Sequence, residues 1–234
     1  MNDVKIIAVT KPRIYETIES NWLGLPLYNR QRTLTVDEFV AYVARVSNPS
    51  NQSNHLSADK LLKYLIKNKH WSPFEMVNIV IEINTTRDIA RQILRHRSFS
   101  FQEFSQRYAD PTSDLGFVAR EARLQDPKNR QNSVETGDKE LQRDWKVKQD
   151  QLIHECELGY KWAIANGIAK EQARAVLPEG LTVSRMYMNG TLRSWIHYCQ
   201  IRTAEGTQKE HREVAMNAWN EICKEFPSLK DVNA

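Results

Sequence analysis

Hydrophobic and polar positions follow two different periods along the chain, and each change of period marks an element. Val4 to Thr10 is a short apolar-rich run closed by Lys11-Pro12, which predicts a β-strand. Glu19 to Arg32 has scattered apolar residues broken by Gly24, Pro26 and Asn29, which predicts an irregular surface excursion. From Thr35 the period turns helical. Asp37 and Glu38 stand in a first turn, where the helix dipole favours carboxylates, and Phe39, Val40, Val43 and Ala44 share a face. This helix is predicted to end near Ser47-Asn48-Pro49, with a polar loop over Asn48 to Asn54. Ser57 is placed to cap a second helix, in which Leu61, Leu62, Leu65 and Ile66 recur at helical spacing. Pro73 stops that pattern. Val77, Ile79, Ile81 and Ile83 then alternate with Asn78, Glu82 and Asn84, the period of a strand.

Thr85 with Asp88 reads as the next helix start. Ile89, Ala90, Ile93 and Leu94 form its apolar face, and Arg87, Arg91 and Arg95, four residues apart, form a row on the other. Gln125 to Asp138 is polar and nearly free of apolar residues, so the stretch 110–138 is read as a loop region. A long helix follows. Leu141, Trp145, Leu152, Cys156, Gly159 and Ala163 fall on one stripe, and Asn166-Gly167 ends it. A short helix from Ala169 stops at Pro178, and the strand-like LTVSRMYMN leads to Gly190. Thr191 to Ala204 reads as helix with Trp195, Ile196 and Cys199 inward. Thr207 and Glu210 read as a capping box for a last helix carrying Val214, Ala218, Ile222 and Phe226. Neither repeat nor linker interrupts residues 1–234, so the expected architecture is one α+β domain, mostly helical, with a small sheet.

Composition adds limits. A chain of 234 residues with 41% hydrophobic and 26% charged residues is long enough for a buried core and ordinary for a soluble globular domain. A formal net charge of +4 suits an anionic small ligand and is too weak to point to nucleic acid. Three cysteines, Cys156, Cys199 and Cys223, make no CxxC and leave no closed disulfide framework. They point to a reducing, cytoplasmic setting, that of a host cell if the source is a virus. No run reaches membrane-spanning length.

The chemistry concentrates in Arg95 to Ser105, RHRSFSFQEFS. Three arginines and a histidine lie within Arg91 to Arg97, directly before serines, Gln102, Glu103, Arg107 and the aromatics Phe99, Phe101, Phe104 and Tyr108. One reading is a solvated basic face with carboxylate partners. The other is a site for a nucleotide with a planar ring. Arginine forks and serine hydroxyls bind phosphate, Gln or Glu reads a base edge, and aromatics give flat walls. There is no GxGxxG after a strand, no GxxxxGK[ST] and no zinc-ligand spacing, so no metal is expected. Ser105 has no visible His-Asp relay. Redox chemistry here requires a bound cofactor, because side chains do not accept hydride.

Arg95-His96-Arg97, seven residues, then Ser105 resembles the RHR-x7-S signature of flavin-dependent thymidylate synthases. Gln92 precedes it. Glu103-Phe104-Ser105-Gln106-Arg107-Tyr108 is similar to the family's ExSxRY, and His70 to Glu75, HWSPFE, to its H-x-[ST]-P-[FL]-E. Ala173 to Pro178, Arg193 and Ile201-Arg202 continue the resemblance in order. It implies a single catalytic domain whose sheet is largely antiparallel, assembled as a homotetramer with sites between subunits. The implied reaction is methylation of dUMP to dTMP, with methylenetetrahydrofolate as carbon donor and NADPH supplying hydride through FAD. No membrane or nucleic-acid partner is expected. By resemblance Ser47, Ser72, Arg95, His96, Arg97, Glu103, Arg193 and His197 contact FAD. Gln92, Arg95, Glu103, Phe104, Ser105, Gln106, Arg107 and Arg174 hold dUMP, and Arg202 favours ionisation at N3 of its uracil ring, as a fixed cation can. Thr191 is carried as a flavin contact although the family commonly has asparagine there, and Gly206 stands where some members carry histidine. Segment 110–138 matches nothing in the family pattern. Each residue also has a plainer reading: Ser72 caps a turn, Arg174 pairs with Glu171 or Glu179, His197 is a core histidine, and Phe99 and Phe104 belong to the core.

Overall fold

The structure, a computed structural model, describes residues 2–20 and 28–232. In chain order, β1 (Asp3–Val9) is followed by a ribbon of β2 (Tyr15–Ser20) and β3 (Tyr28–Thr33), then helices α1 (Val36–Ala44) and α2 (Ala58–Lys67). Next come β4 (Asn78–Thr86), α3 (Arg87–Ile93), β5 (Ser100–Glu103) and the one-turn α4 (Pro111–Asp114). A second ribbon, β6 (Arg123–Gln125) and β7 (Ser133–Glu135), precedes the 27-residue α5 (Lys139–Ala165) and the one-turn α6 (Lys170–Ala173). The chain closes with β8 (Val183–Thr191), α7 (Leu192–Arg202) and α8 (Lys209–Glu225).

The central sheet has the order β1-β4-β8-β5, and every neighbouring pair is antiparallel. The isoleucine alternation of β4 dictates which face is covered. Ile79, Ile81 and Ile83 are fully buried with Met186 and Met188 of β8, while Glu82, Asn84, Arg185 and Tyr187 lie on the opposite face. The buried face packs with Leu192, Trp195 and Ile196 of α7 and Val214, Ala215, Ala218 and Ile222 of α8, and the same core takes in Val40, Ala41, Leu62 and Leu65 of α1 and α2. Each such aliphatic side chain contributes about 1.5–3 kcal/mol by leaving water. Trp195 enters whole because its indole N–H donates to the Ile79 carbonyl at 3.1 Å.

Helix starts show what local rules decide. Helix α1 starts at Thr35 as expected, and Thr35 and Glu38 form a capping box there. Arg32 forks onto Glu38 at 2.7 and 2.8 Å, and chiefly through those bonds its carboxyl falls to about 2. Elsewhere distant partners take the capping groups. Ser57 does not cap α2; its hydroxyl accepts from Arg45 at 2.8 Å. Helix α3 starts after Thr86, not Thr85, whose hydroxyl donates to Asn2 at 2.9 Å. The Thr207–Glu210 box is absent: α8 starts after Gln208, Thr207 donates to the Ile201 carbonyl, and Glu210 pairs with Arg123.

Three further expectations change. Glu19 to Arg32 is not irregular throughout, since Tyr15↔Thr33 to Ser20↔Tyr28 form a paired ribbon; residues 21–27 lie outside the described residues. Strands this polar offer no apolar alternation to read. Stretch 110–138 is not all loop, for it contains α4 and the β6–β7 ribbon. The Asp126 carboxylate organises the connection between those strands by accepting from the Lys128 and Asn129 amides. Finally, α5 ends as expected, with Gly167 at φ +77° where a left-handed turn is needed. Its predicted stripe, however, is only half covered, Leu141, Trp145 and Leu152 being exposed. Only Gln149, Tyr160 and Ala163 are buried, whereas Leu141, Trp145, Leu152, Leu158 and Trp162 are exposed. Gln142 and Gln149 dock its first half, pairing with the backbone of Ala122 and Arg120 at 2.8–2.9 Å, and Tyr160 and Ala163 dock its end against Ala173 and Leu177.

Candidate functional site

The cationic segment occupies a turn between α3 and the edge strand β5. The amide of His96 donates to the Ile93 carbonyl, and that of Phe99 to the His96 carbonyl, which folds the chain back toward β8. The Phe99 ring then lies directly on the backbone of Gly190. A Cβ at that position would overlap the ring, so the approach requires glycine. Phe99 also meets Trp195 edge to face, with centroids 4.9 Å apart, which ties the turn to the core.

His96 and Arg202 come together at the centre of this region. Arg202 Nε donates to His96 Nε2 at 2.9 Å, and the imidazole stands edge-on to Tyr198 at 4.9 Å. Burial, with the nearby Arg202, His197 and Arg95, pushes the His96 pKa down to about 4. A neutral ring accepting at Nε2 leaves both terminal nitrogens of Arg202 without a protein partner among the described residues. Arg95 and Arg97 flank the pair, exposed, with no carboxylate in ion-pair range among the described residues.

The arginine row therefore divides. Arg87 and Arg91 share Glu103 and Glu179 at 3.2–3.7 Å, the carboxylate partners of the plainer reading, although Arg87 is buried and not solvated; Arg95 does not join them. Glu103 also accepts from the Ser184 hydroxyl at 2.9 Å.

Other candidate residues fall into separate cavities. One of about 270 Å³ is lined by Trp71, Ser98, Arg193, Ser194, His197 and Gln200. Glu75 anchors its edge, accepting from Arg193 and from the Thr191 hydroxyl at 2.7 Å each. Burial raises the Glu75 pKa, but these two bonds and the Arg193 charge lower it on balance. Thr191 also caps α7 by accepting from the Ser194 amide. Ser72, exposed next to Trp71, opens a short helix without capping it, and Ser47 lies exposed after α1.

A second cavity of about 340 Å³ gathers Arg87, Arg91, Gln106, Arg174 and Glu179. Gln106 is buried there with its Nε2 unpartnered, and Arg174 donates to the Glu171 carbonyl rather than to either neighbouring carboxylate. Phe104 and Ser105 line a third, of about 420 Å³, with Tyr108 and Tyr187. Arg107 is exposed, 3.7 Å from Glu171, and Ser105 Oγ accepts from the Arg107 amide. Another cavity, about 590 Å³ and lined by the β6–β7 ribbon, contains none of the expected residues.

Comparison with known proteins decides the family. The profile described as thymidylate synthase complementing protein matches residues 31–228. A probable flavin-dependent thymidylate synthase of Paramecium bursaria Chlorella virus 1 is 47% identical over 226 residues, covering 96% of this chain and 95% of the relative. The chain belongs to the flavin-dependent thymidylate synthase family. A flavin-dependent thymidylate synthase of a Synechocystis species is 45% identical over 227 residues, covering 97% of each chain. The fold agrees with that of a UMP/dUMP methylase from Streptomyces cacaoi solved with 5-Br dUMP, at TM-score 0.75 and 22% identity, covering 98% of this chain and 94% of that one. The α+β expectation, with a small antiparallel sheet, holds.

Several residues of this flavin-dependent thymidylate synthase region escaped sequence reasoning. Glu75 was visible within HWSPFE but had no assigned partner. Tyr198 stands one turn before Arg202. His211 falls at helical spacing with Val214, Ala215 and Ala218, so it reads as part of a buried stripe. Trp71, Ser98, Ser194 and Gln200 carry no separate signal.

Proposed function

We propose that this chain reductively methylates dUMP to dTMP, with FAD as cofactor, methylenetetrahydrofolate as carbon donor and NADPH as reductant. The supporting observation is the Arg202 guanidinium, aimed by a neutral His96 and left open at both terminal nitrogens beside the unpaired Arg95 and Arg97. A bound flavin supplies the hydride that no side chain can. Arg202 stays charged and stabilises negative charge developing on the pyrimidine. His96, kept neutral, holds that guanidinium without competing as a second cation.

The residues present fit a flavin dinucleotide. Arg95 and Arg97 are cations awaiting an anion, and Trp71 gives a planar wall beside Arg193, Ser194 and His197. Ser47, Ser72, Glu103 and Thr191 complete the proposed flavin set. On the nucleotide side, Gln92, Phe104, Ser105 and Arg107 join Arg174 and Gln106, whose unpartnered Nε2 is a ready donor. No thiolate participates. Burial pushes the thiols of Cys199 and Cys223 above their ordinary range, and three unpaired thiols suit a reducing, cytoplasmic setting.

A complete small-molecule pocket spans roughly 300–1,000 Å³. Here the candidate residues are divided among separate cavities of about 270, 340 and 420 Å³, no one of which gathers the whole set, and Trp145, Leu152, Leu158 and Trp162 of α5 are exposed. Both features support a homotetramer whose subunits complete one another's sites. Among the described residues, no helix is long and apolar enough to cross a membrane.

Purified protein supplied with dUMP, methylenetetrahydrofolate and NADPH is expected to form dTMP and to be yellow. Colourless protein that also refuses added FAD would sink the proposal. Arg202→Ala should lower dTMP formation on the order of a thousandfold, as loss of a transition-state donor does, while flavin stays bound. Loss of flavin in that variant would place Arg202 on the wrong ligand.

A further inference from the structure

Beneath the His96–Arg202 pair runs a line of hydrogen bonds that the proposed reaction leaves without a role. Glu210, in the first turn of α8, accepts from Arg123 and, at 3.0 Å, from Gln208 Nε2. Gln208 Oε1 accepts from Gln92 Nε2 at 2.8 Å. Gln92 Oε1 lies 3.2 Å from Nδ1 of the fully buried His211, whose Nε2 lies 3.1 Å from the Tyr198 hydroxyl. The Tyr198 ring is the one that meets His96.

The carboxylate at one end sets the direction of every bond, because an ionised carboxylate only accepts. Gln208 turns its NH2 to Glu210, so its oxygen faces Gln92. Gln92 turns its NH2 to Gln208, so its oxygen faces His211. His211 must then donate from Nδ1, and its bare Nε2 accepts the Tyr198 proton. One neutral tautomer satisfies the whole line. Burial, with Arg202 and His96 nearby, holds the His211 pKa down to about 3, so the imidazolium is absent near neutral pH.

We infer that His211 is a positioning residue for the nucleotide: its Nδ1–H locks the Gln92 carboxamide in one of its two flip states. Gln92 then offers dUMP a donor on its Gln208 side and an acceptor on its His211 side, in fixed order. The inference rests on the reading of Gln92 as a dUMP contact. It also explains how an apolar stripe of α8 accommodates a histidine, since both ring nitrogens are used.

The test uses the full-length, flavin-loaded enzyme. His211→Phe fills the ring volume without either nitrogen and should raise the dUMP KM about tenfold, the worth of one misoriented hydrogen bond, with kcat and flavin content within about twofold. His211→Asn restores an N–H near Nδ1 and should recover the KM to within about threefold of the parent. His211→Gln places its amide near Nε2 and should not. The Asn and Gln pair decides the question even where the Phe variant folds poorly, and equal KM values for the two would overturn the inference. In the parent, 15N NMR of labelled histidine should show His211 neutral with the proton on Nδ1; a proton on Nε2 would also overturn it. Gln92→Leu separates the two levels. An unchanged dUMP KM there defeats the reading of Gln92 itself, whereas a raised KM with a silent His211→Phe defeats only the positioning role.

Discussion

The sheet with α7 and α8, and the outlying part built around α5, solve the same problem in opposite ways. Around β4 and β8 the apolar pattern finds partners within the chain, and Ile79, Ile81, Ile83, Met188 and Trp195 are fully buried. Along α5 half of the predicted stripe, Leu141, Trp145 and Leu152, stays exposed, as do Leu158 and, at 64%, Trp162 on an adjoining face, and glutamines with a small cluster at Tyr160 and Ala163 make the attachment. The site residues divide along the same line. The core side holds His211 with both ring nitrogens used, by Gln92 and Tyr198, and an Arg202 held at Nε by His96. The outlying side holds the unpartnered Gln106 amide and the exposed Arg107, loosely paired with Glu171. The contrast teaches that periodicity reports an apolar face without saying which molecule covers it.

The largest effect that sharpens this contrast is expected in the core. Ile81→Ala removes a fully buried side chain from the middle of the sheet and should cost about 3 kcal/mol, read as a lower melting temperature. A change of only a few tenths would mean that the sheet is not the stable half.

Acid should act next, and also on the core side. His211 has a folded pKa near 3 against the ordinary histidine value of 6.5, so between these values the unfolded chain binds more protons. Its contribution is intact above pH 6.5 and is lost progressively as pH falls toward the folded value. By pH 5 the loss is roughly 2 kcal/mol from this group. Melting curves at about pH 7 and about pH 5 should show it, and His211→Phe should show a smaller difference between the two conditions. An equal drop in the variant would remove His211 as the cause.

The smallest effect on folding, and the most telling on assembly, is expected on α5. Trp162→Ser should change the stability of the individual fold by less than about 0.5 kcal/mol, because little of the ring is covered within the chain. Sedimentation should nevertheless show smaller species than the parent. A tetramer that survives this change and a matching Leu158→Ser would break the comparison, since this exposed face of α5 would then not be an interface.

Much of the fold was legible in the sequence where short-range rules ruled alone. The alternation of Val77 to Ile83, the helix start at Thr35 and the Asn166-Gly167 stop each needed only neighbours a few residues away. The misses share a cause. Glu210 left its capping box for Arg123, and Ser57 its helix for Arg45, because a distant guanidinium was the stronger partner. The ribbon of β2 and β3 escaped because its pairing is carried by backbone groups, not by an apolar pattern. For the site, the RHR-x7-S spacing identified the family from eleven consecutive positions, Arg95 to Ser105. It did not reveal that Arg87 and Arg91 are neutralised by Glu103 and Glu179, nor that the candidate residues occupy separate cavities. Those facts depend on the route of the chain between distant positions.

Gly190 carries a consequence for how this protein tolerates change. The Phe99 ring rests on its backbone, and Phe99 closes the turn that bears His96 and Arg97. A single added methyl at position 190 would work as a shim. It would lift the aromatic ring, tilt the turn above it and move the flanking cations, while every arginine and histidine of the signature kept its identity. An intact motif can therefore accompany a displaced one, and position 190 is where a lineage would lose the geometry before losing the letters.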